Sequence, residues 1–171
     1  MVTPSLSRYD IFLNFRGPDT RYSFTGFLYQ ALSRAGFKTF IDDEELEDGD
    51  RISPSLIKAI EASRLSIVVL SENYARSSWC LGELDTIIEC MKTKNQLVWP
   101  IFYKVEPSTV RYQKNSYDKA MTAHEERYES ESSKVLKWRQ NLCEVAGLKG
   151  FSLQPNQYVC QQTLEHIFIV D

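Results

Sequence analysis

A chain of 171 residues, 43% apolar and 25% charged, has the length and balance of one folded domain with a real hydrophobic core, which excludes disordered and fibrous classes. A net charge of -3 argues against nucleic acid as a general partner, because that binding draws on a basic surface to release counterions. The longest apolar runs, LSIVVL and LVWPIFY, are too short to span a bilayer, and the first residues, MVTPSLSRYD, carry neither a signal-peptide core nor the second-position glycine of myristoylation. Cys80, Cys90, Cys143 and Cys160 lack C-x-x-C spacing, and His124 and His166 lie far apart, so no metal site is expected and the thiols read as reduced, in a cytoplasmic or nuclear compartment.

YDIFLNF (Tyr9–Phe15) is rich in strand formers and runs through RGPDT, a turn that Asp19 could end as a helix N-cap, into a helical pattern over residues 21–34. Gly36 stops that helix, FKTFI (37–41) reads as a second strand, and the acidic loop DDEELEDGD leads to a helix over residues 53–63. LSIVVL (65–70) has the continuous apolarity of a central strand, and SSWCLGELDTIIE after it opens a helix that Ser77 or Ser78 can cap. A fourth strand is expected at Leu97–Tyr103, then a proline-led turn at EPSTVRYQ, a helix through Ala120 and His124, and a helix at Ser132–Ala146. A short fifth strand near residues 150–153 and a terminal helix from Gln161 complete the pattern. Strands alternating with helices imply parallel pairing, so the expected fold is α/β: a flavodoxin-like three-layer sandwich around a parallel five-stranded sheet, in one domain.

In such a sheet a ligand crevice opens beyond the carboxyl ends of the first and third strands. Arg16 and Gly17 follow the first strand, Ser71-Glu72-Asn73-Tyr74 follow the third, and Trp79 and Glu83 lie one turn apart on one face of the next helix. A guanidinium suits a phosphate, a glycine permits close backbone approach, and an indole stacks on a ring, a set that fits a nucleotide. Plainer readings stand beside these: Trp79 as core, Glu83 as a solvated helix residue, and Arg16 paired with Asp19 or the acidic loop.

The stretches YDIFLNFRGPDTRYSFTGFLYQAL, SENYARSSWCLGELDTIIEC, PIFYKVEPSTVRYQKNSYDKA and WRQNLCEVAGLKG together resemble the plant type of TIR (Toll/interleukin-1 receptor) domain, over residues 8–152, with 153–171 as a C-terminal extension. No G-x-x-x-x-G-K-[ST] loop follows, so the chain as it stands reads as a TIR-only protein or a truncated receptor. The resemblance implies an NAD⁺ nucleosidase of plant defence signalling that cleaves the nicotinamide–ribose bond, with NAD⁺ as substrate and no cofactor, and with NADP⁺ left open. Glu83 matches the family's catalytic glutamate, and Arg16, Gly17 and Trp79 match positions lining its nucleotide cleft. A single carboxylate can suffice, because nicotinamide leaves a cationic ring as a neutral molecule and needs no general acid.

The family self-associates, and other TIR domains, homotypic or heterotypic, are the implied protein partners. Two departures fall on those surfaces: Gly26-Phe27 stands in the first helix where a Ser-His pair is common, and Asp48 precedes Gly49 where a basic residue is frequent, with Arg51 able to supply part of the charge. The alternative these departures admit is a non-catalytic adaptor acting through TIR–TIR binding.

Overall fold

Side chains of the strand Tyr9–Phe15 (β1) alternate between two faces, and apolar groups occupy both: Ile11, Leu13 and Phe15 on one, Phe12 on the other. A strand apolar on both faces belongs inside a parallel sheet covered by helices. The computed structural model describes residues 9–42 and 52–153 and has that arrangement. β1 pairs in parallel with Thr39–Ile41 (β2) and with Ser63–Leu70 (β3); β3 pairs with Leu97–Tyr103 (β4), and β4 with Phe151–Leu153 (β5). The order β2-β1-β3-β4-β5 is the flavodoxin-like one, with its switch point between β1 and β3.

The helices in chain order are Gly17–Thr20 (α1), Phe24–Arg34 (α2), Pro54–Glu61 (α3), Ser78–Lys94 (α4), Pro107–Arg111 (α5), Ser116–Arg127 (α6) and Ser132–Ala146 (α7). On one face, Phe24, Leu28 and Leu32 of α2 pack on Ile11, Leu13, Ile67, Val69 and Ile101. On the other, α3, α4, α6 and α7 bury Leu56, Leu84, Tyr117 and Trp138 against Phe12, Val68, Leu70 and Phe102. No helix among the described residues is long and apolar enough to cross a membrane.

Several boundaries move for identifiable reasons. RGPDT is not a simple turn: it winds one helical turn, α1, with Pro18 in its first turn, and no side chain caps either α1 or α2, so the expected N-cap at Asp19 is not formed. EPSTVRYQ likewise contains a helix, α5, because Pro107 occupies the first helical position, where its missing N–H costs nothing. β3 begins at Ser63, whose hydroxyl donates to the Ala59 carbonyl at 2.7 Å and ties the strand to the end of α3. The terminal helix expected from Gln161 lies outside the described residues.

Candidate functional site

The amphipathic pattern of α4 places Cys80, Glu83, Ile87 and Cys90 on one buried stripe, at spacings of three and four residues. Glu83 therefore points into the molecule, with 3% of its surface exposed. The helix start is fixed by Ser77, whose hydroxyl accepts from the Cys80 backbone N–H at 3.1 Å. A carboxyl group so enclosed requires a donor, and β1 supplies it: Asn14 lies on the α4 face of the strand and its Nδ2 donates to Glu83 Oε2 at 2.9 Å. Tyr74, in a short 3₁₀ turn after β3, donates its hydroxyl to Asn14 Oδ1 and so fixes the amide's orientation.

The electrostatics follow from that enclosure. Burial disfavours the ionised form and pushes the Glu83 carboxyl up to about 8; the bonds from Asn14 and the Trp79 indole oppose the rise, and the Asp42 charge adds to it. Glu83 thus holds its proton at neutral pH, whereas the sequence-based expectation is an ionised carboxylate. The neighbouring Cys80 thiol is also pushed up by burial and by Glu83, which makes it a poor nucleophile. Its Sγ donates to the Phe15 carbonyl at 3.3 Å.

Around this pair lie the loops at the carboxyl ends of β1, β2 and β3. Arg16 pairs with Asp19 at 2.7 Å, one of the plainer readings of that arginine. Asp19 in turn accepts from the Ser71 hydroxyl at 2.6 Å and the Asn73 backbone N–H at 3.0 Å, joining the β1 loop to the β3 loop across the switch point. Gly17 is buried at the start of α1 and its carbonyl accepts from the Arg21 backbone at 2.9 Å. Trp79 is part of the core cluster, yet its Nε1 donates outward to Asp42 Oδ2 at 3.1 Å. Arg16 and Gly17 thus follow the carboxyl end of β1, and Trp79 and Glu83 lie on the helix that follows β3, the two strands that flank the switch point.

Asn14 and Asp42 join the site without being legible as candidates in the sequence, whereas Tyr74 stands among the residues expected after the third strand. Asn14 leaves one signal, a polar residue in an otherwise apolar strand. Asp42 is hidden as the first residue of an acidic run that reads as solvated loop.

The expected self-association residues divide. Gly26 and Phe27 lie on α2, where Phe27 is 58% exposed, as is neighbouring Tyr22 at 96%. A Cβ on Gly26 would stand 2.4 Å from the Arg21 carbonyl oxygen, so the glycine is required by the chain doubling back before α2. Asp48, Gly49 and Arg51 lie outside the described residues.

Comparison with known proteins gives a consistent picture. The family model described as "TIR domain" matches residues 8–168. The chain is 49% identical over 166 residues to disease resistance protein RPV1 of Vitis rotundifolia, covering 95% of this chain and 12% of that protein. It is 53% identical over 142 residues to TMV resistance protein N of Nicotiana glutinosa, covering 83% of this chain and 12% of that protein. The chain thus spans about an eighth of the length of the curated relatives it matches. Among solved structures, the TIR domains of the activated Roq1 resistosome superpose with a TM-score of 0.84 at 46% identity, covering 94% of this chain and 99% of that one. The RPS4 and RRS1 TIR domain heterodimer superposes with a TM-score of 0.52 at 18% identity, over 95% and 94% of the two chains, a likeness of fold.

Proposed function

The chain belongs to the TIR domain family, and from that premise we propose that it is an NAD⁺ nucleosidase of plant defence signalling, activated by self-association, with Glu83 as its catalytic residue. The observation that carries this reading is a single buried carboxyl group, held by Asn14 and flanked one turn earlier by an indole, at the switch point of a doubly wound sheet.

In the proposed reaction the C1′–N bond of the ribose breaks and its electron pair stays on the pyridine nitrogen, so cationic nicotinamide departs neutral. Water captures the oxocarbenium-like carbon and gives up a proton, and the Glu83 carboxylate stabilises the developing charge and accepts that proton. Glu83 must be ionised to do this, and a pyridinium beside it favours ionisation. Binding of the cationic substrate is thereby coupled to release of the proton that Glu83 holds. Arg16 would exchange part of its contact with Asp19 for a substrate phosphate, and Trp79 would present a face to the base.

Glu83 is almost fully enclosed, so substrate can touch it only after the surrounding loops shift. That enclosure supports a site that opens on assembly rather than one active in the isolated domain. The relatives named above are resistance proteins, and one TIR neighbour comes from an activated resistosome, which supports the signalling role and TIR–TIR assembly. The exposed Phe27 on α2 and the exposed Tyr22 in the turn before it offer apolar surface for such assembly. The adaptor reading shares that surface and differs in needing no cleavage.

The test is nicotinamide release from NAD⁺ by wild type and by Glu83→Gln protein shown to be folded by near-UV circular dichroism. Loss of release in the variant supports the assignment, and full release in it removes Glu83 from the mechanism.

A further inference from the structure

Asp42 follows directly on β2, the strand that pairs with the Asn14-bearing β1. Its Oδ2 accepts the Trp79 indole N–H at 3.1 Å, while its backbone carbonyl accepts from the Arg21 guanidinium at 2.8 Å. The Arg21 guanidinium is itself seated 5.0 Å from the Phe15 ring centroid, so the end of β2 is tied to the end of α1 and the tip of β1. The same indole faces the Glu83 carboxyl one turn along α4. Two acids from different elements thus lie beside one indole, which donates its N–H to Asp42.

We propose that Asp42 is a positioning residue for Glu83: its carboxylate anchors the Trp79 indole between the two acids, so that ring and carboxyl groups together form a receptor for a cationic N-linked base. The proposal rests on the reading of Glu83 as the catalytic residue.

The groups around Glu83 sort by what they can do to it. From β1, Asn14 donates a neutral hydrogen bond; from the turn after β3, the buried Tyr74 hydroxyl acts through Asn14. From α4 itself come the Cys80 thiol, kept protonated, and the Trp79 N–H. Arg16 and Asp19 pair with one another beside Cys80, largely cancelling each other's field. Asp42 supplies the charge that strengthens Glu83's hold on its proton. A pyridinium placed over the indole would lie near both acids and relieve their repulsion as Glu83 ionises, whereas a neutral dihydropyridine would not. Asp42 in this way converts the positive charge of the substrate into ionisation of the residue that acts on it.

The substitutions separate charge from anchoring. Asp42→Asn keeps an acceptor for the indole and removes the charge; Asp42→Ala removes both; Asp42→Glu restores the charge at a longer reach. Carboxyl-carbon NMR titration of Glu83 without added NAD⁺ reads the effect without any turnover, and the indole N–H resonance of Trp79 reports the anchor. Expected in Asp42→Asn is a Glu83 midpoint lower by about half a pH unit or more, the scale of one nearby charge in a partly wet site. The Trp79 resonance should be conserved in that variant and displaced in Asp42→Ala, and Asp42→Glu should return the midpoint toward wild type. The acidic limb of the nicotinamide-release profile should move in the same direction as the midpoint. A Glu83 midpoint and an indole resonance unchanged in both Asp42→Asn and Asp42→Ala would overturn the proposal. Absence of nicotinamide release from assembled wild-type protein would count against the catalytic reading alone, because the titration decides the role of Asp42 independently.

Discussion

Asn14 of β1 and Glu83 of α4, 69 residues apart, meet at 2.9 Å in the interior, an amide N–H donating to a carboxyl oxygen. The bond joins sheet and helix at the point where the chemistry is proposed, and it has consequences for both stability and activity. Asn14→Leu leaves the buried carboxyl without that donor and the Tyr74 hydroxyl with only the Cys80 carbonyl, at 3.2 Å, as acceptor. Uncompensated buried polar groups cost about 1–3 kcal/mol each. Urea unfolding should show destabilisation in that range, and nicotinamide release should fall with it; Tyr74→Phe, which keeps the Asn14–Glu83 bond and removes the hydroxyl's bonds to Asn14 and the Cys80 carbonyl, should lower release less.

The pH dependence of stability has a defined sign. In the native protein Glu83 keeps its proton up to about pH 8, against 4.5 for the ordinary carboxyl. Between those values the unfolded chain has released a proton that the folded chain still holds. The stability associated with the protonated carboxyl is complete below pH 4.5 and is lost progressively as pH rises to about 8, with a slope of up to about 1.4 kcal/mol per pH unit. Glu83→Gln removes this dependence. Denaturant midpoints measured from pH 5 to 9 should therefore decline less steeply in Glu83→Gln than in wild type, and the variant should be the more stable protein at pH 8.

Much of this architecture is legible before any coordinates. The runs at Tyr9–Phe15 and Leu97–Tyr103 are strands along their whole length, as their richness in aromatic and branched aliphatic residues at strand length leads one to expect. The inward aim of Glu83 also leaves a trace, since it falls three residues after Cys80 and four before Ile87 on a core stripe. Asp42 leaves none: its contact with Trp79 spans 37 residues, follows no helix or strand period, and begins in an acidic run whose composition speaks for solvent. The pairing of Arg16 with Asp19 was open for a similar reason, because a turn sequence does not say which loop its charges will face.

Gly26 gives a prediction opposite to helix propensity. Replacing glycine by alanine inside a helix ordinarily stabilises by up to about 1 kcal/mol. Here the new methyl would stand 2.4 Å from the Arg21 carbonyl oxygen, so backbone must move. Gly26→Ala should lose roughly 1–3 kcal/mol, the usual cost of overpacking, read as a lower urea midpoint.

Phe27 separates folding from assembly. It is 58% exposed, so Phe27→Ala should leave the unfolding midpoint nearly unchanged, within about 0.5 kcal/mol. Sedimentation velocity across a concentration series should show weaker self-association, with nicotinamide release falling most at the lowest concentrations.

The measurement that tests the account most directly is nicotinamide release from NAD⁺ by wild-type and Glu83→Ala protein over a wide range of protein concentrations, with and without a crowding agent. The account predicts release that rises faster than linearly with wild-type concentration and is lost in the variant. Equal release by both proteins, or none from wild type shown to be folded and oligomeric, would contradict it.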